Sequence, residues 1–258
     1  MSTARFLVLG RGSLGNRISD HLNSKGYYSE CIPYRMGLFH QIDDECLYEC
    51  VIDCMDLSHS KYTGYANIQM LINTTRINAI DNIRFRRYVY ISSSNVYLAC
   101  SGVIDENSST KCPSECAIDK YLENKLQNER ILRCALNNRL VILRPVSLWG
   151  HCRPGAVNGF FADLLRARHD NIQLPHRNGD EQIISYMHYD DASSMIVHLL
   201  TSRQEIPLTC NITAWQWKSR KSLKGSFLDK DDSGTIGWRV SSLHYNQREL
   251  EIDFRMFD

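Results

Sequence analysis

Arg5-Phe-Leu-Val-Leu9, running into Gly10-Arg-Gly12-Ser13-Leu14-Gly15, is the stretch from which the fold of this 258-residue chain follows. Four consecutive apolar residues after Arg5 suit a strand buried on both faces. The three glycines make a tight turn. Beyond them Ile18 and Leu22 recur at helical spacing as far as a stop at Gly26. A strand, a Gly-x-Gly-x-x-Gly turn and a helix in that order form a dinucleotide-binding fingerprint in its required context. The glycines let backbone amides approach a pyrophosphate at the positive end of the helix.

Working outward, a second strand is predicted over about Tyr28 to Tyr34, a buried strand over Cys50 to Met55, and a helix over Tyr65 to Ala79. Arg87-Tyr-Val-Tyr-Ile91 reads as a strand that ends in Ser92-Ser93-Ser94-Asn95. A loop rich in Ser, Cys and Pro covers Ala99 to Glu115. A helix from Asp119 to Asn137 and a strand Leu140-Val-Ile-Leu143, closed by Arg144-Pro145, come next. Strands alternating with helices imply a parallel sheet covered on both faces, because each parallel connection needs a crossover. After Gly150 the pattern changes to a helix (Gly159 to Arg168), a strand (Glu181 to His188) and a helix (Asp191 to Leu200), and Trp215 to Asp258 takes no assignment. The expected architecture is α/β: a Rossmann-type doubly wound parallel sheet over residues 1–150 and a small C-terminal substrate-binding lobe over 151–258. Part of that lobe, about 181–200, returns to the first domain.

Composition narrows the partners. Hydrophobic residues make up 43% and charged residues 23%, as in a globular protein. Thirty Lys and Arg face 29 Asp and Glu, and a net charge of +1 gives no broad attraction to nucleic acid or to an anionic membrane. No apolar run is long enough to span a bilayer. The ten cysteines are scattered, without a CxxC pair or a histidine at zinc-finger spacing, so thiols in a reducing, cytoplasmic setting are expected and no metal site.

Two features carry chemistry. About twenty residues after the glycine turn, an acidic residue would hold the ribose hydroxyls of NAD, whereas Pro33-Tyr34-Arg35 offers a cation that suits the extra phosphate of NADP. NADP is the expected cofactor and NAD the alternative. Tyr121 and Lys125 stand at i and i+4, on one face of a helix. A phenol is a poor base near neutrality, and a neighbouring ammonium favours its phenolate. Ser93 ends a central strand, where open α/β sheets hold ligands, and its hydroxyl suits a reacting oxygen.

In order along the chain stand the glycine turn, Tyr65-Ala-Asn67-Ile68, Val89-Tyr-Ile-Ser-Ser93-Ser-Asn-Val-Tyr97 and Tyr121-x-x-x-Lys125-x-x-x-Glu129. Ile142-Leu-Arg-Pro145-Val-Ser-Leu-Trp-Gly150 and Gly179-Asp-Glu-Gln-Ile-Ile-Ser-Tyr-Met-His188-Tyr-Asp-Asp191-Ala192 follow. From Arg5 to Leu200 this order resembles the extended short-chain dehydrogenase/reductase family, the NAD-dependent epimerase/dehydratase family, which includes nucleotide-sugar epimerases, dehydratases and 4-ketoreductases.

The resemblance implies Tyr121 as general acid/base, Lys125 on the nicotinamide ribose and Ser93 as the catalytic serine. It places Gly10, Gly12, Ser13, Leu14, Gly15 and Arg35 along the dinucleotide, with Pro145 and Val146 beside the nicotinamide. Ser94, Asn95, Ser147 and Arg177 would face the substrate, and His188 and Asp191 would be mainly structural. Ser94 and Asn95 replace the acidic pair of the 4,6-dehydratases, which argues against dehydration. Ile184 stands where several members have a diphosphate-binding arginine; Arg177 or Arg153 would have to substitute. The short segment before Cys50 is similar to that of 4-keto-sugar reductases. The expected activity is NAD(P)-dependent reduction of a keto group on a nucleotide-activated 4-keto-6-deoxy sugar. An epimerase without net redox change is the alternative, and a non-catalytic dinucleotide sensor or scaffold a second one. A homodimer through the helix near Asn67 and the helix of Tyr121 is expected as well.

Overall fold

The structure, a computed structural model, describes residues 4–33, 46–56, 65–97, 102–111, 120–150, 183–202, 205–213, 217–219 and 238–240. Its main sheet has six parallel strands: β1 (Arg5–Leu9), β2 (Tyr28–Ile32), β3 (Leu47–Asp53), β4 (Arg84–Ile91), β6 (Leu140–Pro145) and β9 (Thr209–Ile212), in the spatial order β2-β1-β3-β4-β6-β9. The order reverses at β1, which has β2 on one side and β3 on the other. Strand carboxyl ends next to such a reversal leave a crevice outside the sheet, where ligands of this architecture bind.

Side chains alternate between two cores, as the pleat requires. Phe6 and Val8 of β1, Val89 and Ile91 of β4, and Val141 and Leu143 of β6 face helices α1 (Ser13–Ser24) and α4 (Tyr189–Thr201), whose Ile18, Leu22, Met195 and Ile196 are fully buried. Leu7, Leu9, Tyr88, Tyr90, Leu140 and Ile142 face α2 (Tyr65–Asn82) and α3 (Lys120–Leu136), through Ile72, Ala79, Leu132 and Leu136. The doubly wound parallel sheet expected from the sequence is therefore the fold.

Differences from the expected elements have local reasons. Strands β3 and β4 each begin three residues earlier than the apolar runs suggested, because Leu47 pairs with Arg84 and Tyr48 with Phe85, while Arg84 and Arg86 stay exposed on either side of buried Phe85. The supposed loop from Ala99 to Glu115 contains β5 (Gly102–Ile104), which pairs in parallel with β11 (Trp238–Val240) far along the chain. Thr209–Ile212 supplies the sixth strand of the main sheet beside β6. The strand around His188, β8 (Ile183–His188), lies outside the main sheet, between β7 (Ser147–Trp149) and β10 (Trp217–Ser219). The expected helix from Gly159 to Arg168 lies outside the described residues. Among the described residues no helix is long and apolar enough to cross a membrane.

Ile196 of α4 is fully buried against α1 and the sheet. Ile196→Ala is expected to cost about 2–5 kcal/mol of stability, read from the midpoint of urea unfolding.

Candidate functional site

The glycine turn is pinned at the reversal point. The Gly10 amide donates to the Ile32 carbonyl at the end of β2 (2.7 Å), and the Cys54 amide donates to the Leu9 carbonyl (2.8 Å). Gly10 has φ +104°, and a Cβ there would lie 2.9 Å from the Cys54 carbonyl oxygen. A Cβ on Gly15 would run into the Gly10 carbonyl, so that residue sets how closely α1 lies over the strand. Among the described residues, a Cβ on Gly12 would meet nothing within 4 Å. The space above the turn is open, among the described residues, just where α1 begins, with Gly12 as N-cap, no side-chain cap and no acidic residue in the first turn. Ser13 and Leu14 open that helix. Unoccluded N–H groups, a positive helix end and open space fit a pyrophosphate. Arg35 lies outside the described residues.

Ser93, Tyr121 and Lys125 gather at the carboxyl end of β4, two strands away from the turn. Ser93 is buried immediately beyond the strand, and its hydroxyl oxygen accepts the Asn95 amide (3.2 Å), capping a turn from Ser94 to Val96. Ser94 is buried in this turn and Asn95 exposed. The Tyr121 ring is partly buried against a cluster of Val96, Leu122 and Leu126. One helical turn on, the Lys125 ammonium lies 5.5 Å from the Tyr121 ring centre and donates to the Ile91 carbonyl at 2.5 Å. On the neighbouring strand, Pro145 ends β6 and Val146 is buried beside it, its amide on the Ile212 carbonyl (3.1 Å). Ser147 opens β7, half-buried. Arg177 and Arg153 lie outside the described residues.

Lys125 is met by a set of charges that the sequence reading did not find. The Asp56 carboxylate is 2.8 Å from its ammonium, with side chains 6% and 5% exposed. Asp56 also accepts the Tyr90 hydroxyl (2.7 Å) and the Arg76 guanidinium (3.2 Å). Arg76, buried on α2, pairs with Asp53 at 2.5 Å, and Asp53 accepts the Tyr88 hydroxyl (2.8 Å) and the Met55 amide (3.0 Å). Two carboxylates and two cations thus share one nearly dry space under the candidate site. Burial on its own would raise the Asp56 pKa, but Lys125 and then Arg76 hold it well below the usual carboxylate range. Burial likewise works to lower the Lys125 pKa, and Asp56 keeps it above the ordinary value. The Tyr90 phenol is pushed up by burial and by Asp56. In sequence, Asp53 lies inside the strand expected over Cys50 to Met55, Asp56 just beyond it and Arg76 within the helix expected over Tyr65 to Ala79; nothing local pairs them.

A second buried pair holds the serine segment from behind. Arg144 reaches Glu129 with two nitrogens, at 3.0 and 2.6 Å, and the Ser92 hydroxyl donates to the same carboxylate at 2.6 Å. The Arg144 guanidinium lies 4.8 Å from the Tyr97 ring centre, and the Tyr97 hydroxyl donates to Asn211 on β9 (2.8 Å). His188 caps α4, its Nδ1 accepting the Asp190 amide (3.2 Å). Against the opposing effect of burial, hydrogen bonds from Arg144 lower the Glu129 pKa.

Breaking this pair strands a charge. Arg144→Met is expected to cost about 3–5 kcal/mol in chemical denaturation, with much of it recovered in Glu129→Leu/Arg144→Met. Because the folded Glu129 value is depressed, its contribution is complete above about pH 4.3 and is lost as the pH falls through the folded value. The stability gap between wild type and Glu129→Gln should therefore close on acidification.

The sequence model of the NAD dependent epimerase/dehydratase family matches residues 39–212. No curated protein matches the chain at the sequence level. Among solved structures, MoeE5 in complex with UDP-glucuronic acid and NAD is similar with a TM-score of 0.70 and 18% identity, over 98% of this chain and 95% of that one. The UDP-glucuronic acid 4-epimerase from Bacillus cereus, in complex with UDP-glucuronic acid and NAD, gives 0.65 and 17%, over 92% and 86%. The dTDP-glucose 4,6-dehydratase from Bacillus anthracis str. Ames, in complex with NAD, gives 0.64 and 13%, over 96% and 89%. At these identities the likeness is one of fold.

Proposed function

Because this chain belongs to the NAD dependent epimerase/dehydratase family, we propose that it is an NAD(P)-dependent reductase acting on a keto group of a nucleotide-activated 4-keto-6-deoxy sugar. The observation that carries this reading is the meeting of Lys125 and Tyr121 at the end of the strand that bears Ser93. The glycine turn with Ser13 and Leu14 would hold the pyrophosphate, Arg35 the adenosine phosphate of NADP, and Lys125, Pro145 and Val146 the nicotinamide end. Bound there, the dinucleotide supplies hydride chemistry. Tyr121 Oη gives its proton to the ketone oxygen as that becomes a hydroxyl, and Ser93 Oγ donates a hydrogen bond to the same oxygen. Ser94, Asn95, Ser147 and Arg177 orient the sugar nucleotide, with residues after Gly150 forming the substrate side. Neutral Ser94 and Asn95, in place of an acidic pair, favour reduction over dehydration.

The same three residues would serve an epimerase, which oxidises a sugar hydroxyl and returns hydride to the other face. Supplying a nucleotide 4-keto sugar with NADPH or NADH and following reduced-cofactor absorbance separates the two. Stoichiometric consumption is expected; product formed without consumption overturns the reductase reading in favour of the epimerase. Tyr121→Phe should lower turnover by about 100- to 10,000-fold while dinucleotide binding persists. Turnover indifferent to that change would overturn Tyr121 as the acid/base, and dinucleotide binding without any turnover in wild type would leave a binding protein.

The proposal extends to a homodimer formed through α2 and α3. Met70 and Ile77, seven residues apart on α2, are 68% and 56% exposed, and Ile131 of α3 is 63% exposed. Large apolar side chains so placed favour a covered surface. In light scattering, Met70→Glu/Ile77→Glu should halve the molar mass of the wild-type protein; an unchanged mass would rule out this interface.

A further inference from the structure

The lysine expected to meet the cofactor has unusual surroundings. Its ammonium has three N–H bonds, of which one is spent on the Ile91 carbonyl and one on Asp56. The side chain is 5% exposed, so water does little to solvate the charge. The groups facing it can be named element by element. Asp56 comes from beyond β3, with Asp53 behind it. The Tyr90 ring comes from β4, its centre 5.1 Å away, and Tyr121 from the lysine's own helix at 5.5 Å. Arg76 of α2 adds a second cation on the far side of Asp56. Asp56 is thus the carboxylate in direct contact, and Asp53 is spent mainly on Arg76.

Resting on the function proposed above, we propose that Asp56 is a positioning residue. It is the counter-ion that keeps the buried Lys125 ammonium charged and aimed at the carboxyl end of β4, with its remaining N–H available to the nicotinamide ribose. The ordering runs through α2. Arg76 and Tyr90 hold Asp56, and Asp56 holds Lys125, so the lysine is set before any ligand arrives. Balanced by Asp56, Lys125 meets the ribose as an oriented donor within a neutral cluster of four charges.

Asp56→Asn tests this, because an amide of the same shape carries no charge and keeps one acceptor oxygen, able to serve either the Arg76 guanidinium or the Tyr90 hydroxyl. The buried ammonium then loses its counter-ion, and burial brings its pKa down. Two measurements follow. The first needs no cofactor. In wild type the folded Lys125 value is raised, so its stability contribution is present below about pH 10.4, the ordinary value, and is lost only as the pH climbs through the folded one. In Asp56→Asn the folded value is depressed, the unfolded chain binds more protons, and stability from this group grows with pH. The melting-temperature deficit of Asp56→Asn against wild type should therefore shrink between about pH 7 and about pH 10. A deficit constant with pH overturns the proposal.

The second measurement is NADPH and NADH affinity by calorimetry over the same range. Affinity of Asp56→Asn should fall by roughly tenfold for each pH unit above the lowered lysine value, while Asp56→Glu, which keeps the charge, follows wild type. Parallel pH dependence in wild type and Asp56→Asn overturns the proposal. Absence of dinucleotide binding to wild type would instead remove the proposed function and leave the melting data to decide the counter-ion role. Should Asp56→Asn fail to fold, Asp56→Asn/Lys125→Met decides: recovery of folding identifies the stranded ammonium as the fault, and continued failure overturns the role assigned to Asp56.

Discussion

Lys125 is held between the Asp56 carboxylate and the Ile91 carbonyl, in a space with almost no water, and this contact joins three elements of the fold. Asp56 follows β3, Ile91 ends β4 and Lys125 lies on α3, while Arg76 brings in α2. Charges so placed are expensive to bury and tolerable only when each has its partner. The arrangement is a chain, Asp53 to Arg76 to Asp56 to Lys125, in which removing an inner member exposes two others. Its direct worth to stability is modest, since well-packed apolar residues can often match such groups. What the chain does fix is geometry, because each link admits few side-chain positions.

The sheet explains why these groups meet at all. All six strands of the main sheet run in one direction, so their carboxyl ends open on one side. Gly10 follows β1, Asp56 follows β3, Ser93 follows β4 and Val146 follows β6. Residues scattered over more than 130 positions of sequence are thereby brought to a single edge. Glu129 and Arg144 then tie α3 to β6, and through Ser92 to the turn that carries Ser93. The site is held by one ion-paired cluster on each side of the serine segment.

Much of this was legible in the chain as written. The alternation of apolar strands and amphipathic helices sets the doubly wound sheet, since buried parallel strands need long apolar runs and crossovers need helices. The glycine turn was legible because its chemistry is local: φ +104° at Gly10 and the crowding at Gly15 are demands that glycine meets and other residues do not. Helical spacing puts Tyr121 and Lys125 on one face, and their place in an order of motifs that resembles the family's singled them out. Elements whose partners are distant were hidden. β5 pairs with β11, and β9 joins β6, and a short strand has no signature apart from the edge it pairs with.

By itself, then, the sequence determined the fold class, the glycine turn and the placing of a phenol and an ammonium on one helix face, all products of periodicity or of one residue's conformational freedom. Only the tertiary structure decided that Asp53, Asp56 and Arg76 surround that ammonium and that Glu129 closes on Arg144. No local pattern in the sequence names a partner for any of these ionic groups. Burial and distance give them their meaning, and both are set by how helices α2 and α3 come to rest on the sheet.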